Sequence, residues 1–144
     1  MNLIMSALLL LCSFSTVPFP EHTLSIEVVN FRNTNGQLIL LLYNTDEGFK
    51  DESLTEFYRK QIVEIDSKDG VLVRFENLLP GQYAVKLIHD ENADGKMNRL
   101  FFKPKEGVGV SNFETVSLTN RPNFQKASFE VNGDKTLKIS LIYL

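Results

Sequence analysis

From Thr23 onward the chain repeats one pattern, in which short runs rich in Val, Ile, Leu, Phe and Tyr alternate with polar residues at period two and stop at turn residues. Period two puts successive side chains on opposite faces of a strand, whereas an amphipathic helix needs a period of about 3.6, so the pattern restricts the chain to a β architecture. Leu24, Ile26 and Val28 alternate with Ser25 and Glu27 in the first expected strand, which ends near residues 30–33. Thr34, Asn35 and Gly36 form a tight turn into QLILLLYN, whose unbroken apolar run predicts a central strand covered on both faces. The polar stretch TDEGFKDESLTEFYRK follows, with one helical turn expected around Ser53 to Phe57. RKQIVEI and VLVRFENL then flank residues 66–70 and are expected to form a hairpin turning at Asp69 and Gly70.

LLPGQYAVKLI carries the plainest local signal: Pro80 fixes φ at the first central position of a turn, and Gly81 supplies the positive φ that a type II turn needs at the second. Tyr83, Val85 and Leu87 share one face of the strand that leaves it. Residues 90–112 form a long loop, and a structureless loop of roughly twenty residues is uncommon unless something organises it. FQKASFEV and TLKISLIYL are expected as a closing hairpin across Asn132, Gly133 and Asp134. About seven strands with little helix predict an all-β fold, a single antiparallel β-sandwich of immunoglobulin or transthyretin type with one long loop at 90–112.

The totals agree with one domain. A length of 144 residues buries a core without disulfide staples, and 43% hydrophobic with 23% charged residues is ordinary for a globular chain. A net charge of −3, from 15 basic and 18 acidic residues, provides no footprint for nucleic acid. The first residues, MNLIMSALLLLCSFST, are apolar from Leu3 to Cys12 and then turn small and polar, as a secretory leader does, although Met1 and Asn2 carry no Lys or Arg. Residues 1–15 are therefore expected as a signal peptide and 16–144 as the single sandwich domain, exported to the periplasm, outer envelope or medium. A run of about ten apolar residues is too short to span a bilayer, so no transmembrane segment is expected in the mature chain. Cys12, the one cysteine, would leave with the leader, which removes disulfide and thiol chemistry.

The stretch HDENADGKMN, residues 89–98, sets Asp90, Asn92 and Asp94 two apart before Gly95. A hard cation such as Ca²⁺ takes six to eight oxygen ligands, and such a run offers side-chain oxygens on alternate residues while the glycine bends the backbone. Asp90, Asn92, Asp94, the carbonyl of Lys96 and Asn98 match the early positions of a calcium loop. The match breaks where the bidentate Glu would stand, because Phe101 occupies that place, so a further carboxylate must come from Glu106 or Glu114. Ca²⁺ affinity in the weak extracellular range, about 0.1–1 mM, is the expectation for so few carboxylates beside Lys96, Arg99, Lys103 and Lys105. The other reading needs no ion: Asp, Asn and Gly build Asx-turns by bonding the backbone two residues on, with Phe101, Phe102 and Phe113 pinning the loop.

LILLLYNTDEGF, VRFENLLPGQYAVKLIHDENADGKMN, FFKPKEGVGVSN and RPNFQKASFEV, in this order, resemble the conserved blocks of the DUF2141 family of uncharacterised bacterial secreted proteins. The resemblance runs from about Ile26 to the C-terminus and implies an exported single-domain β-sandwich with no known activity. It departs from the family's pattern at Asn98, where Asp is usual, and at Phe102, where Gly is usual; the first change removes a ligand charge. The L-x-P-G-x-Y-x-V element is also similar to that of Cna-B and carboxypeptidase-regulatory-like sandwiches, which are commonly structural or binding modules, an analogy at fold level.

Catalytic signatures are few. No G-x-S-x-G elbow, C-x-x-C pair, H-E-x-x-H helix or phosphate-binding glycine loop occurs, and Gly107 and Gly109 read as backbone bends. His22 lies near the expected mature N-terminus, and His89 ends a strand directly before Asp90. These residues point to an exported, non-enzymatic β-sandwich that binds or scaffolds a protein or glycan through its 90–112 loop, as a monomer or weak oligomer. One alternative is a small envelope glycan or ester hydrolase using His89 and nearby carboxylates; a third is a purely structural accessory domain whose edge strands pair with another chain.

Overall fold

The computed structural model describes residues 17–95 and 106–143. Its eight strands are β1 (His22–Val29), β2 (Gln37–Tyr43), β3 (Arg59–Glu64), β4 (Val71–Leu78), β5 (Gly81–Asp90), β6 (Gly107–Val110), β7 (Phe129–Val131) and β8 (Lys135–Ser140), with short helices α1 (Asp46–Lys50) and α2 (Phe124–Ala127). One sheet runs β4-β1-β8, and the other runs β3-β2-β5-β6 with β7 paired to the start of β5. Pairing is antiparallel except between β1 and β8, which run parallel. The all-β sandwich expected from the alternation is the fold.

The two sheets face each other across a core that contains Leu24, Ile26, Val28, Leu38, Leu40, Leu42, Phe75, Val85 and Leu87. The unbroken run in β2 has the predicted cause. Its even-numbered residues fill that core, while Ile39, Leu41 and Tyr43 enter a second cluster with Phe49, Ala84, Ile88, Val110 and Phe113 on the outer face of the sheet. Each such aliphatic side chain withdrawn from water contributes about 1.5–3 kcal/mol before chain entropy is set against it. α1, α2 and the 111–127 connection cover this outer face, so β5 is buried almost throughout.

Several local expectations differ from the structure, and the differences share a cause: turn residues reveal that the chain reverses, not which sheet its next strand joins. β3 pairs with β2 and β4 with β1, so the 66–70 link crosses between sheets rather than closing a hairpin. The segment around Asn132 to Asp134 likewise joins β7, paired with β5, to β8, paired with β1. Near Pro80 the residue with positive φ is Asn77 (57°), and Gly81 does not adopt it. The helical turn sits at Asp46–Lys50 instead of 53–57, because Thr45 caps it, accepting the Gly48 N–H at 3.1 Å, with Asp46 and Glu47 in the first turn. Finally, residues 107–110, expected inside the long loop, form β6, where a Cβ on Gly107 would lie 2.5 Å from the Tyr143 ring.

Hydrogen bonds close the two open sides, through side chains on one and backbone on the other. Arg59 and Gln61 on β3 donate to the carbonyls of Glu76, Asn77 and Arg74 along β4. On the far side, Val108 and Ile142 exchange backbone hydrogen bonds at 2.9 and 2.7 Å, tying β6 to the segment after β8. That tie fixes the end of the sandwich where β5 finishes.

Candidate functional site at the end of β5

His89 and Asp90 are consecutive on β5 and therefore point to opposite faces. His89 enters the principal core side and is fully buried. Its Nε2 donates to the Asn35 carbonyl at 2.8 Å, and its Nδ1 lies 2.8 Å from the Tyr143 hydroxyl. The Tyr143 oxygen in turn accepts the Arg32 N–H at 3.2 Å, and Phe31 packs edge-on against the imidazole at 5.5 Å. Both ring nitrogens are thus used, one on a carbonyl and one on a phenol, and no solvent reaches them. An acid–base role for His89 needs an imidazole open to substrate, which this geometry does not provide.

The turn after β5 is held from below. Gly36 adopts φ +70°, and a Cβ there would lie 1.9 Å from the Asp90 carbonyl oxygen, so only glycine lets the two segments approach. Arg32 grips Glu91 through Nε at 2.9 Å and through Nη2, and Asn33 donates to the same carboxylate. The Arg32 hydrogen bond is the main reason the Glu91 carboxyl is held below its ordinary pKa, with Asn33 adding to it. The Asp90 side chain, almost fully buried, uses Oδ2 to accept from Gln37 Nε2 at 2.8 Å and from the Gly95 N–H at 3.0 Å. Its Oδ1 is buried and has no hydrogen-bond partner among the described residues.

Asn92 and Asp94 are exposed and bond each other, side chain to side chain at 3.0 Å and from the Asp94 N–H to Asn92 Oδ1 at 3.2 Å. Glu106 lies on the other flank of Asp90. The pairing of His89 with Gly107, continued by one residue, sets Glu106 opposite Asp90 on the same face. Burial raises the Glu106 pKa first, and the charges of Asp90, Asp94 and Glu91 raise it further. Of the residues expected to gather, Asp90 and Glu106 are opposed when the β5–β6 register is extended by one residue, Asn92 and Asp94 bond each other, and Lys96 and Asn98 lie outside the described residues. Among the described residues no three carboxylate, imidazole or thiol groups stand close enough to share an ion.

A family model described as an uncharacterized protein conserved in bacteria, DUF2141, matches residues 26–140. The chain belongs to the DUF2141 family. No curated protein and no solved structure matches this DUF2141 chain.

One polar residue of this DUF2141 sandwich escaped the sequence reasoning. Lys86 is buried in the outer cluster, donating Nζ to the Phe49 carbonyl at the end of α1, with Nζ 4.2 Å from the Phe49 ring centroid and 5.0 Å from that of Tyr43. Burial pulls its pKa down to about 8, against the opposing pull of Asp51 and Glu52. The signal was present in YAVKLI, since period two sets Lys86 on the same face as Ala84 and Ile88. Nearby, Ser111 Oγ accepts the Val85 N–H at 2.9 Å and donates to the Ala127 carbonyl at 2.7 Å, which ties the 111–127 cover to β5.

Proposed function

We propose that this DUF2141 protein is an exported, non-catalytic β-sandwich that binds or scaffolds a protein or glycan of the cell envelope, with the 91–95 turn and the strand ends around it as its working surface. The supporting observation is the way that turn is held. Glu91 is clamped by Arg32 and Asn33, Asp90 by Gln37 and Gly95, and His89 by Asn35 and Tyr143, while Asn92, Ala93 and Asp94 stay exposed above them. A surface ordered in advance loses little freedom on binding, which favours recognition over chemistry that needs a mobile, solvated imidazole. The apolar Leu3 to Cys12 run followed by small polar residues supports export.

The test is to express the full chain in a bacterial host, separate cytoplasm, periplasm, envelope and medium, and then incubate the purified protein with isolated envelope membranes and with peptidoglycan. Export, and co-sedimentation with one of these fractions that weakens at least tenfold in an Asn92→Lys, Asp94→Lys variant, is the expected result. Retention in the cytoplasm, or ester or glycan hydrolysis abolished by His89→Gln, would overturn the proposal.

A further inference from the structure

The pairing of β5 with β6 creates an arrangement that the binding surface alone does not require. Directly opposed residues of an antiparallel pair hold their side chains close on one face, and like charges there repel. Continuing the register from His89 and Gly107 makes Asp90 and Glu106 such a pair. Glu106 cannot drift away freely, because Gly107 lies against the Tyr143 ring and Val108 is bonded both ways to Ile142. Asp90 is equally fixed: Gln37, on the β2 flank, and Gly95 both take Oδ2. Oδ1 is buried and has no hydrogen-bond partner among the described residues. Arg32 is the nearest described guanidinium to act on Glu106, and it is held by the Glu91 carboxylate.

We infer that Asp90 and Glu106 together form a site for a hard divalent cation, with Asp90 Oδ1 and a Glu106 oxygen as the anionic ligands. Water and backbone carbonyl oxygens complete the shell, as they do in weak Ca²⁺ and Mg²⁺ sites. Asn92 and Asp94 are not needed as ligands, since their mutual hydrogen bonds build the turn. The ion would lock the start of β6 to the end of β5, and thereby stiffen the surface described above. The inference rests on that proposed surface only for its purpose, not for its ligands.

Thermal melts of the full chain decide it, run in EDTA, then with Ca²⁺ alone and with Mg²⁺ alone, for the parent, Asp90→Asn and Glu106→Gln. At about 10 mM cation and a dissociation constant of about 1 mM, the parent midpoint should rise by roughly 5 °C. The larger rise of the two cations identifies the ion. Glu106→Gln should melt higher than the parent in EDTA, because the repulsion is gone, and should lose the cation response; it carries the test if Asp90→Asn fails to fold. No rise in the parent, or an undiminished rise in Glu106→Gln, overturns the site. Envelope retention measured in EDTA separates this outcome from the binding proposal, which survives if retention persists without the ion.

Discussion

Replacing Lys86 with Met tests a charge that the fold buries against its outer cluster. In the unfolded chain this amine holds its proton to a pKa of 10.5, while burial in the fold brings that to about 8. Below about pH 8 both states are charged and the fold carries the full cost of a buried ammonium, about 3 kcal/mol for a shift of this size. Between about 8 and 10.5 the unfolded chain binds more protons than the folded one, so stability climbs with pH, and above that window the cost is gone. Tyr43, Tyr83 and Tyr143 act in the opposite sense, since burial raises each pKa and so the fold loses stability as unfolded tyrosines ionise above about pH 10. The clean interval is therefore about pH 8 to 9.5, where Lys86 alone should add about 2 kcal/mol to the parent's unfolding free energy. At pH 7 Lys86→Met should differ little from the parent. Removing the buried charge is offset by leaving the Phe49 carbonyl without its donor, about 1–3 kcal/mol, and by losing contacts with two rings, about 1 kcal/mol. The measurement is urea unfolding of both proteins at about four pH values from 7 to 9.5. The parent should gain on the variant as pH rises, and two parallel profiles would refute the placement of Lys86 as a charged group under α1.

Two further perturbations probe the site end. Gly36→Ala puts a Cβ into the Asp90 carbonyl and an alanine at φ +70°, so a loss of at least about 2 kcal/mol in urea unfolding is expected, and a loss below about 0.5 kcal/mol would show that the two segments do not meet. Arg32→Ala removes the partner that lowers the Glu91 pKa. Because the Arg32 side chain is 45% exposed, the cost at neutral pH should stay near 1 kcal/mol, and it should vanish as pH falls through the folded Glu91 pKa, below the ordinary 4.5. A cost that persists at low pH would assign Arg32's role to its packing over Tyr143, where its guanidinium carbon lies 4.7 Å from the ring centroid.

The sandwich was legible in the sequence because period two is a local property, and Leu24, Ile26 and Val28 are buried as their spacing demands. The double burial of β2 was legible for the same reason, a run without polar interruption. Pairing partners were not. A Gly-containing link such as 66–70 serves a hairpin or a crossing between sheets equally well, and the choice rests on contacts between strands remote in sequence. At the site, Asp90 and Glu106 were each named from residue type and spacing, but their opposition depends on β6, which two glycines disguised as loop. His89 looked available because it stands beside a carboxylate in the chain. Alternation sends the two to opposite faces, and only the fold shows that the imidazole side is sealed by Phe31 and Tyr143.

The polar residues within β5 then share a logic. The strand is buried on both faces, yet Lys86, His89 and Asp90 stand in its second half. Between them they reach four segments outside the strands: Lys86 the end of α1, His89 the turn at Asn35 and Tyr143 after β8, and Asp90 the turn at Gly95. Burial of polar groups rarely adds net stability, because desolvation opposes most of the gain. What such groups supply is direction, since a hydrogen bond admits one arrangement where an apolar contact admits many. A core of Leu and Val would hold the two sheets together as firmly while leaving those four segments loosely specified. The three polar residues therefore sit in the half of β5 next to the exposed 92–95 turn, where direction rather than added stability is what they supply.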